Sequence, residues 1–176
     1  EKANILGFCI GGILVTAMLA YLAAKGDDRI ASATTLATMV DFENVGEIGV
    51  FVDDDRLASM RVTMAEKGYL DAHHLQDMFS MLREKDLIWS FVEANYLRGQ
   101  KPPAFDLLSW NSDSTRLPSA MLLWYLEEVY LQNGLRKPGA LEMNGVKIDI
   151  TKIKTPTFIL ATTEDHIAPW RAIYPA

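Results

Sequence analysis

Disulfides, basic patches and membrane spans are the first things this chain does without. It holds one cysteine, Cys9, so no internal disulfide can form and a reducing cytoplasm suits it. Lys and Arg number 17 against 23 Asp and Glu, a net charge of −6 with no dense basic block, which argues against a nucleic-acid partner. No apolar run reaches the roughly 18 residues of a membrane span. The longest candidate, Ile10 to Ala24, contains Thr16 and Tyr21 and stops at Lys25-Gly26-Asp27-Asp28, so it reads as a buried helix. The first residues carry no basic segment followed by an apolar core, and no secretory signal is expected. Asp53-Asp54-Asp55 lacks the alternating oxygen ligands and glycine of a calcium loop. It is expected to start a helix, and no metal or cofactor is expected anywhere. There are no internal repeats. What remains is 176 residues, 49% hydrophobic and 23% charged, enough for one domain with a real core.

Within that chain the most telling stretch is Gly7-Phe8-Cys9-Ile10-Gly11-Gly12. A short apolar run, Ala3 to Leu6, precedes it, and an Ala- and Leu-rich stretch of helical spacing follows. Strand, G-x-C-x-G and helix in that order form a nucleophile elbow of the α/β-hydrolase type with cysteine in the serine position. Side chains two positions before and after the nucleophile, at Gly7 and Gly11, are expected to collide with the adjoining strand and helix. The helix end is expected to favour the thiolate of Cys9, and the Ile10 N–H to supply half of an oxyanion hole.

Periodicity organises the rest. Ile13, Leu14, Ala17, Met18, Tyr21 and Ala24 predict a helix over 10–25, stopped by Gly26. Ser32 to Val40 predicts the next parallel strand, completing a βαβ unit. From Asp41 to Lys137 helical patterns dominate: 53–67, ending at Gly68; 74–83, with Leu75, Met78, Phe79 and Leu82 in one stripe; 87–97, capped by Asp86; and a long helix from Pro118 to Tyr130 or Gln132. Lys101-Pro102-Pro103 reads as a breaker. Asn144-Gly145 between apolar flanks predicts a two-residue hairpin. Pro156 precedes a compact buried strand over 157–162. The expected architecture is an incomplete α/β-hydrolase core, residues 1–40 and 138–176, interrupted by a helical cap over 41–137. With so few residues before Cys9 and a helix beginning near Trp170, the chain is expected to be the middle of a longer protein.

Candidate chemistry follows from that order. A lone cysteine is usually a small buried hydrophobe, but Cys9 at the elbow is the expected nucleophile. Asp165 follows a late strand, where the triad acid of such folds lies, although an aspartate before Ile167 and Pro169 also reads as a turn cap. Glu164 competes with it. His166 adjoins Asp165, and neighbouring side chains on an extended loop point apart, so it is expected to shape a pocket with Phe8 and Trp124 and not to act as base. His73 and His74 read as a helix start. The base is therefore expected beyond Ala176, leaving this chain alone inactive. Trp89, Phe91, Tyr96, Trp110, Trp124, Tyr125 and Tyr130 read mostly as cap core, some of them lining an apolar channel. Met60, Met64, Met78 and Met81 read as core or interface.

Taken together, Gly7 to Gly12, Leu36 to Phe42, Asn95-Tyr96-Leu97, Phe105-Asp106-Leu107-Leu108, Trp110-Asn111-Ser112-Asp113, Leu117-Pro118, Trp124-Tyr125-Leu126, Tyr130-Leu131-Gln132-Asn133 and Glu164 to Trp170 closely resemble the catalytic domain of class I polyhydroxyalkanoate synthases. The resemblance covers nearly the whole chain. It implies a bacterial acyltransferase that polymerises (R)-3-hydroxyacyl-CoA with release of CoA. Cys9 would carry the acyl chain, and Asp165 would support the histidine and help activate the incoming hydroxyl. It further implies a homodimer, associated in the cytoplasm with the surface of polymer granules. Two competing expectations are a cysteine hydrolase of dienelactone-hydrolase type, and a fragment that serves only as a dimerisation or granule-surface module.

Overall fold

The computed structural model describes residues 1–101, 113 and 115–176. Pro102, Pro103, the Phe105 to Leu108 segment and Trp110 to Ser112 lie outside those residues. The chain divides into two compact units, one of Glu1–Asp53 with Trp124–Ala176, the other of Asp54–Leu123. The residues 41–53 and 124–137, expected with the cap, thus fall in the unit that holds Cys9.

That first unit is built on a parallel sheet. β1 (Ala3–Phe8) leads through Cys9 into α1 (Ile10–Lys25), which returns the chain to β2 (Ile30–Leu36) beside β1. Gly26, at φ 68°, ends α1 in the left-handed conformation a C-terminal glycine permits. β2 stops at Leu36 and not at Val40, because Ala37 turns to φ 48° and sends Thr38, Met39 and Val40 into the core. α1 is buried on two sides. Val15 and Leu19 pack on Ala33 and Ile5 of the sheet, whereas Ile13, Ala17 and Ala20 join Met39, Val40, Phe42, Val129, Leu135, Leu141, Ile148 and Ile173. The predicted stripe had included Leu14, which is 69% exposed. A helix apolar on nearly every face carries no periodic signal to mark its buried side.

The loop after β2 is tied down by one asparagine. Asn133, at φ 50°, donates from Nδ2 to Asp41 Oδ1 (2.8 Å) and accepts on Oδ1 from the Phe42 N–H (2.9 Å). Burial would push the Asp41 carboxyl up, but hydrogen bonds from the Glu43 N–H, Asn133 and Arg136 outweigh it and hold Asp41 below the ordinary carboxylate value.

The second unit begins with α2 (Asp54–Met64), which carries Asp54 and Asp55 in its first turn, where the helix end favours negative charge. β3 (Tyr69–Leu70) pairs antiparallel with β4 (Leu117–Pro118), so Pro118 lies in a strand and the next helix starts at Ser119. Between these strands lie α3 (Ala72–Leu82) and two π-helical pieces, Lys85–Trp89 and Val92–Leu97. Asp86 falls inside the first piece and is not its cap.

The helix Ser119–Trp124 ends the second unit and continues, in the first, as a π-helix over Tyr125–Leu131. β5 (Glu142–Met143) and β6 (Val146–Lys147) form the predicted hairpin, with Asn144 at φ 48° and Gly145 at φ 73°. Both central residues left-handed is what a tight hairpin between right-twisted strands requires. β7 (Thr157–Leu160) then pairs parallel with β2, giving the order β1-β2-β7. The expected buried strand is instead an edge of the described sheet, and Phe158, Ile159 and Leu160 are all exposed. The short helix Trp170–Ile173 returns Ala172 and Ile173 to the core. Among the described residues no helix is long and apolar enough to cross a membrane.

Candidate active site

Cys9 stands between β1 and α1 with φ 53° and ψ −121°, a conformation that residues with a side chain rarely adopt. Such a turn persists only where its surroundings over-determine it. Here the Cys9 N–H donates to the Leu36 carbonyl at the end of β2 (2.9 Å), and the Cys9 carbonyl accepts from the N–H groups of Gly12 (2.9 Å) and Ile13 (3.3 Å). The Thr38 hydroxyl, almost wholly buried, reaches the carbonyls of Leu36 (3.1 Å) and Cys9 (3.4 Å). Cys9 is therefore held by the neighbouring strand, by its own helix and by a buried side chain.

The glycines that make room are not quite the expected pair. A Cβ on Gly7 would come within 2.6 Å of Gly12 Cα and 2.7 Å of the Gly11 carbonyl oxygen, so Gly7 is required as predicted. A Cβ on Gly11 would meet nothing within 4 Å. The second crowded position is Gly12, where a Cβ would overlap the Thr38 side chain. The symmetric rule of two residues either side overlooked that the first helical turn rotates Gly11 outward and Gly12 against Thr38.

Electrostatically the site departs from expectation. Burial pushes the Cys9 thiol above its ordinary value. The Ile10 N–H, hydrogen-bonded to the sulfur, pulls the other way and loses, and the nearby Asp165 carboxylate raises the thiol further. The helix end thus does not leave a resting thiolate; desolvation wins. Asp165 itself sits in the turn that follows β7. Its Oδ1 accepts from the N–H groups of Ile167 and Ala168, both 2.9 Å, which fixes the turn after β7 on buried Ala168. Asp165 therefore caps that turn, as the turn reading expected.

Two aromatic residues had been assigned to the cap core. Tyr125 and Tyr130 lie in the first unit with their rings 5.3 Å apart and edge-on, and Phe42 packs on Tyr130 at 4.6 Å. Burial pushes both phenols up, Tyr130 to about 12. In an α-helix residues five apart lie about 140° from each other. The π-helix over Tyr125–Leu131 brings them to one face. The i, i+5 spacing of two tyrosines was the signal available in the sequence, and only an unusual helix makes it meaningful.

Of the residues expected to shape a pocket, Phe8 is 66% exposed, Trp124 is exposed, and His166 is half-buried next to Asp165 in the chain. A cavity of about 420 Å³ in this unit is lined by Asp41, Glu43, Asn44, Arg171 and Ala172, none of them among the residues predicted for a site. Glu164 is exposed. His73 and His74 stack on each other at 4.1 Å in the first turn of α3, in the other unit. No group of three or more metal-ligating side chains occurs among the described residues.

A parallel sheet with a strained cysteine at its first strand–helix junction and an aspartate after a later strand defines a class. The chain belongs to the α/β hydrolase fold family, whose model matches residues 1–176. Within that class it is similar to poly(3-hydroxyalkanoate) polymerases: 48% identical over 168 residues to the polymerase of Methylorubrum extorquens, covering 96% of this chain and 28% of that protein. It is 46% identical over 174 residues to the polymerase subunit PhaC of Rhizobium meliloti, and 45% identical over 179 residues to that of Cupriavidus necator. These cover 99% of this chain and 28% and 30% of those proteins. The chain thus spans less than a third of the length of these three relatives.

Two expectations follow for the elbow. Gly11→Ala keeps the fold and adds up to about 1 kcal/mol, since it replaces glycine in a helix with open space around it. Gly12→Ala costs about 1–3 kcal/mol because buried Thr38 must move. Urea unfolding of the two variants checks both. Labelling of Cys9 with iodoacetamide against pH is expected to give a midpoint above the ordinary thiol value of about 8.5. The folded state then holds its proton where the unfolded state has lost it, so stability falls as pH rises from the ordinary value through the raised one. A labelling midpoint below 8.5 contradicts the burial argument.

Proposed function

We propose that this chain is the catalytic segment of a poly(3-hydroxyalkanoate) polymerase and that Cys9 carries the growing acyl chain as a thioester. The observation that carries the reading is the sulfur held on a strained, hydrogen-bonded strand–helix turn with the Ile10 N–H directed at it. Relatives with identities of 45% to 48% bear the polymerase name, and they support the same substrate class here.

In the first half-reaction the Cys9 thiol and an acyl-CoA exchange partners: a bond forms between Sγ and the acyl carbon, the acyl–sulfur bond to CoA breaks, and CoA leaves as its thiol. One thioester replaces another, so the acyl group stays activated. In the second, the hydroxyl of a 3-hydroxyacyl group attacks the carbonyl on Cys9, an ester forms, and the hydroxyl proton ends on the released thiol. Conversion of a thioester to an ester drives that step, and an enzyme ester on serine would have given the drive away. The Ile10 N–H stabilises the oxygen charge that develops in both steps. The raised thiol makes a general base necessary at attack. Asp165 is proposed to orient and charge-balance a histidine base in the full-length protein. Residues of the second unit are proposed to act as a cap that keeps water from the thioester. A homodimer at a cytoplasmic granule surface belongs to the same proposal. No metal or cofactor enters it.

Given 3-hydroxybutyryl-CoA, the full-length protein is expected to form polymer and release CoA. Cys9→Ser lowers both by about a hundredfold or more with unfolding unchanged. CoA release near normal in that variant, or free acid without polymer from the unaltered protein, overturns the proposal.

A further inference from the structure

The cavity of about 420 Å³ in the first unit has no task in the chemistry above, and polar and charged side chains make most of its wall. Two loops build it. Asp41, Glu43 and Asn44 come from the loop that follows β2, and Arg171 and Ala172 from the short helix that follows β7 and the Asp165 turn. Both loops leave the carboxyl ends of parallel strands. That is the edge at which Cys9 follows β1, and at which open α/β sheets bind their ligands. Hydrogen bonds fix the two loops to each other: the Ala172 carbonyl accepts from the N–H groups of Val40 (3.4 Å) and Asp41 (3.3 Å). Thr38, two residues before Val40 and so no more than about 7 Å from it along the chain, places its hydroxyl 3.4 Å from the Cys9 carbonyl. A short run of backbone thus ties the cavity wall to the elbow.

The lining groups divide into spent and free. Asp41 is spent: its carboxylate accepts from the Glu43 N–H (3.1 Å), Asn133 Nδ2 (2.8 Å) and Arg136 Nε (3.4 Å). Among the described residues no ion pair joins Glu43 or Arg171 to each other or to any other side chain. Arg171 is held instead by an aromatic face. Its guanidinium carbon lies 5.4 Å from the centre of the Trp170 ring, and Tyr174 braces Trp170 edge-on at 6.4 Å. A guanidinium laid on a ring is positioned without using up its N–H donors, which a carboxylate partner would have taken. Arg171 therefore offers a placed, positive fork of the geometry that phosphate accepts in two parallel bonds. Glu43 and Asn44 offer acceptors to hydroxyl and amino groups. In dinucleotide-binding folds an acid takes a ribose hydroxyl and an arginine a ribose phosphate.

We infer that this cavity binds the nucleotide end of the acyl-CoA substrate, with Arg171 on the ribose phosphate and Glu43 and Asn44 on the ribose hydroxyl and the adenine amino group. The inference rests on the reading of the protein as a polymerase of acyl-CoA, whose pantetheine arm then joins the cavity to Cys9. A contact so far from the reacting carbonyl binds ground state and transition state alike, so its loss raises KM and spares kcat.

Taking the nucleotide off the substrate is the test. Thiol release and polymer formation by the full-length protein, Arg171→Gln and Arg171→Lys are measured with 3-hydroxybutyryl-CoA and with 3-hydroxybutyryl-pantetheine, which keeps the thioester and the arm but has neither phosphate nor base. Arg171→Gln is expected to raise KM for the CoA thioester about tenfold or more with kcat within about threefold, and to leave kcat/KM for the pantetheine thioester within about twofold. Arg171→Lys keeps the charge without the fork and is expected to fall between. Adenosine 3′,5′-bisphosphate, titrated by calorimetry, is expected to bind the unaltered protein and to bind Arg171→Gln more weakly by the same factor. Equal changes for the two thioesters in Arg171→Gln, or no change for either, overturn the inference; the first is what loss of packing beside the Asp165 turn produces. Thiol release without polymer removes the polymerase reading and leaves the cavity assignment standing or falling on the KM ratio. Turnover of neither thioester by the unaltered protein also removes that reading, and the titration then decides: weaker binding in Arg171→Gln keeps a nucleotide site, and absent or equal binding removes it.

Discussion

Strand ends handing hydrogen bonds to their neighbours hold this site together. At the end of β1 the chain turns left-handed at Cys9, and the Cys9 N–H reaches the last carbonyl of β2, that of Leu36. At the end of β2 it turns left-handed again at Ala37, and the Ala37 N–H reaches the last carbonyl of β7, that of Leu160, at 2.9 Å. Each strained residue is thus pinned by the next strand along the sheet. Backbone strain of this kind costs about 1–3 kcal/mol per residue and survives only when surrounded by fixed partners. Thr38 joins the two turns, because it follows the second and bonds back to the first. Remove the register of β1, β2 and β7 and neither Cys9 nor the Asp165 turn has a defined place.

A half-buried sulfur that loses solvent is a poor resting thiolate and a better protected thiol. Burial and the Asp165 charge both keep the proton on Cys9, and the Ile10 N–H only partly offsets them. A thiol held neutral between turnovers is less open to adventitious oxidation and alkylation. It also means that the site does not store its nucleophile in charged form, so proton removal and attack belong to the same event.

How much of this could be read from the residues alone depended on how local its cause was. The elbow was legible because glycine, cysteine and the flanking strand and helix all lie within one βαβ unit. The hairpin at Asn144-Gly145 was legible for the same reason. Asp165 could be placed after a strand by order along the chain. Errors arose where the deciding partner is distant in sequence. Gly12 matters because of Thr38, 26 residues away, and not because of its distance from Cys9. β2 ends early because Ala37 is captured by β7, about 120 residues on. The sign of the Cys9 shift was missed because a helix end is visible in the sequence and desolvation is not. That Tyr125 and Tyr130 share one face was not legible, because their spacing suits no regular α-helical face and no residue announces a π-helix.

The account stands on one covalent bond, between Cys9 Sγ and an acyl carbon. Quenching the full-length protein with acid soon after mixing with 3-hydroxybutyryl-CoA, followed by mass analysis of its peptides, looks for that bond itself. The peptide containing Cys9 is expected to gain the mass of one or more 3-hydroxybutyryl units and to lose it in neutral hydroxylamine, as a thioester does. Hydroxylamine-resistant mass at that peptide, acyl mass on a peptide without Cys9, or none anywhere during turnover would contradict it.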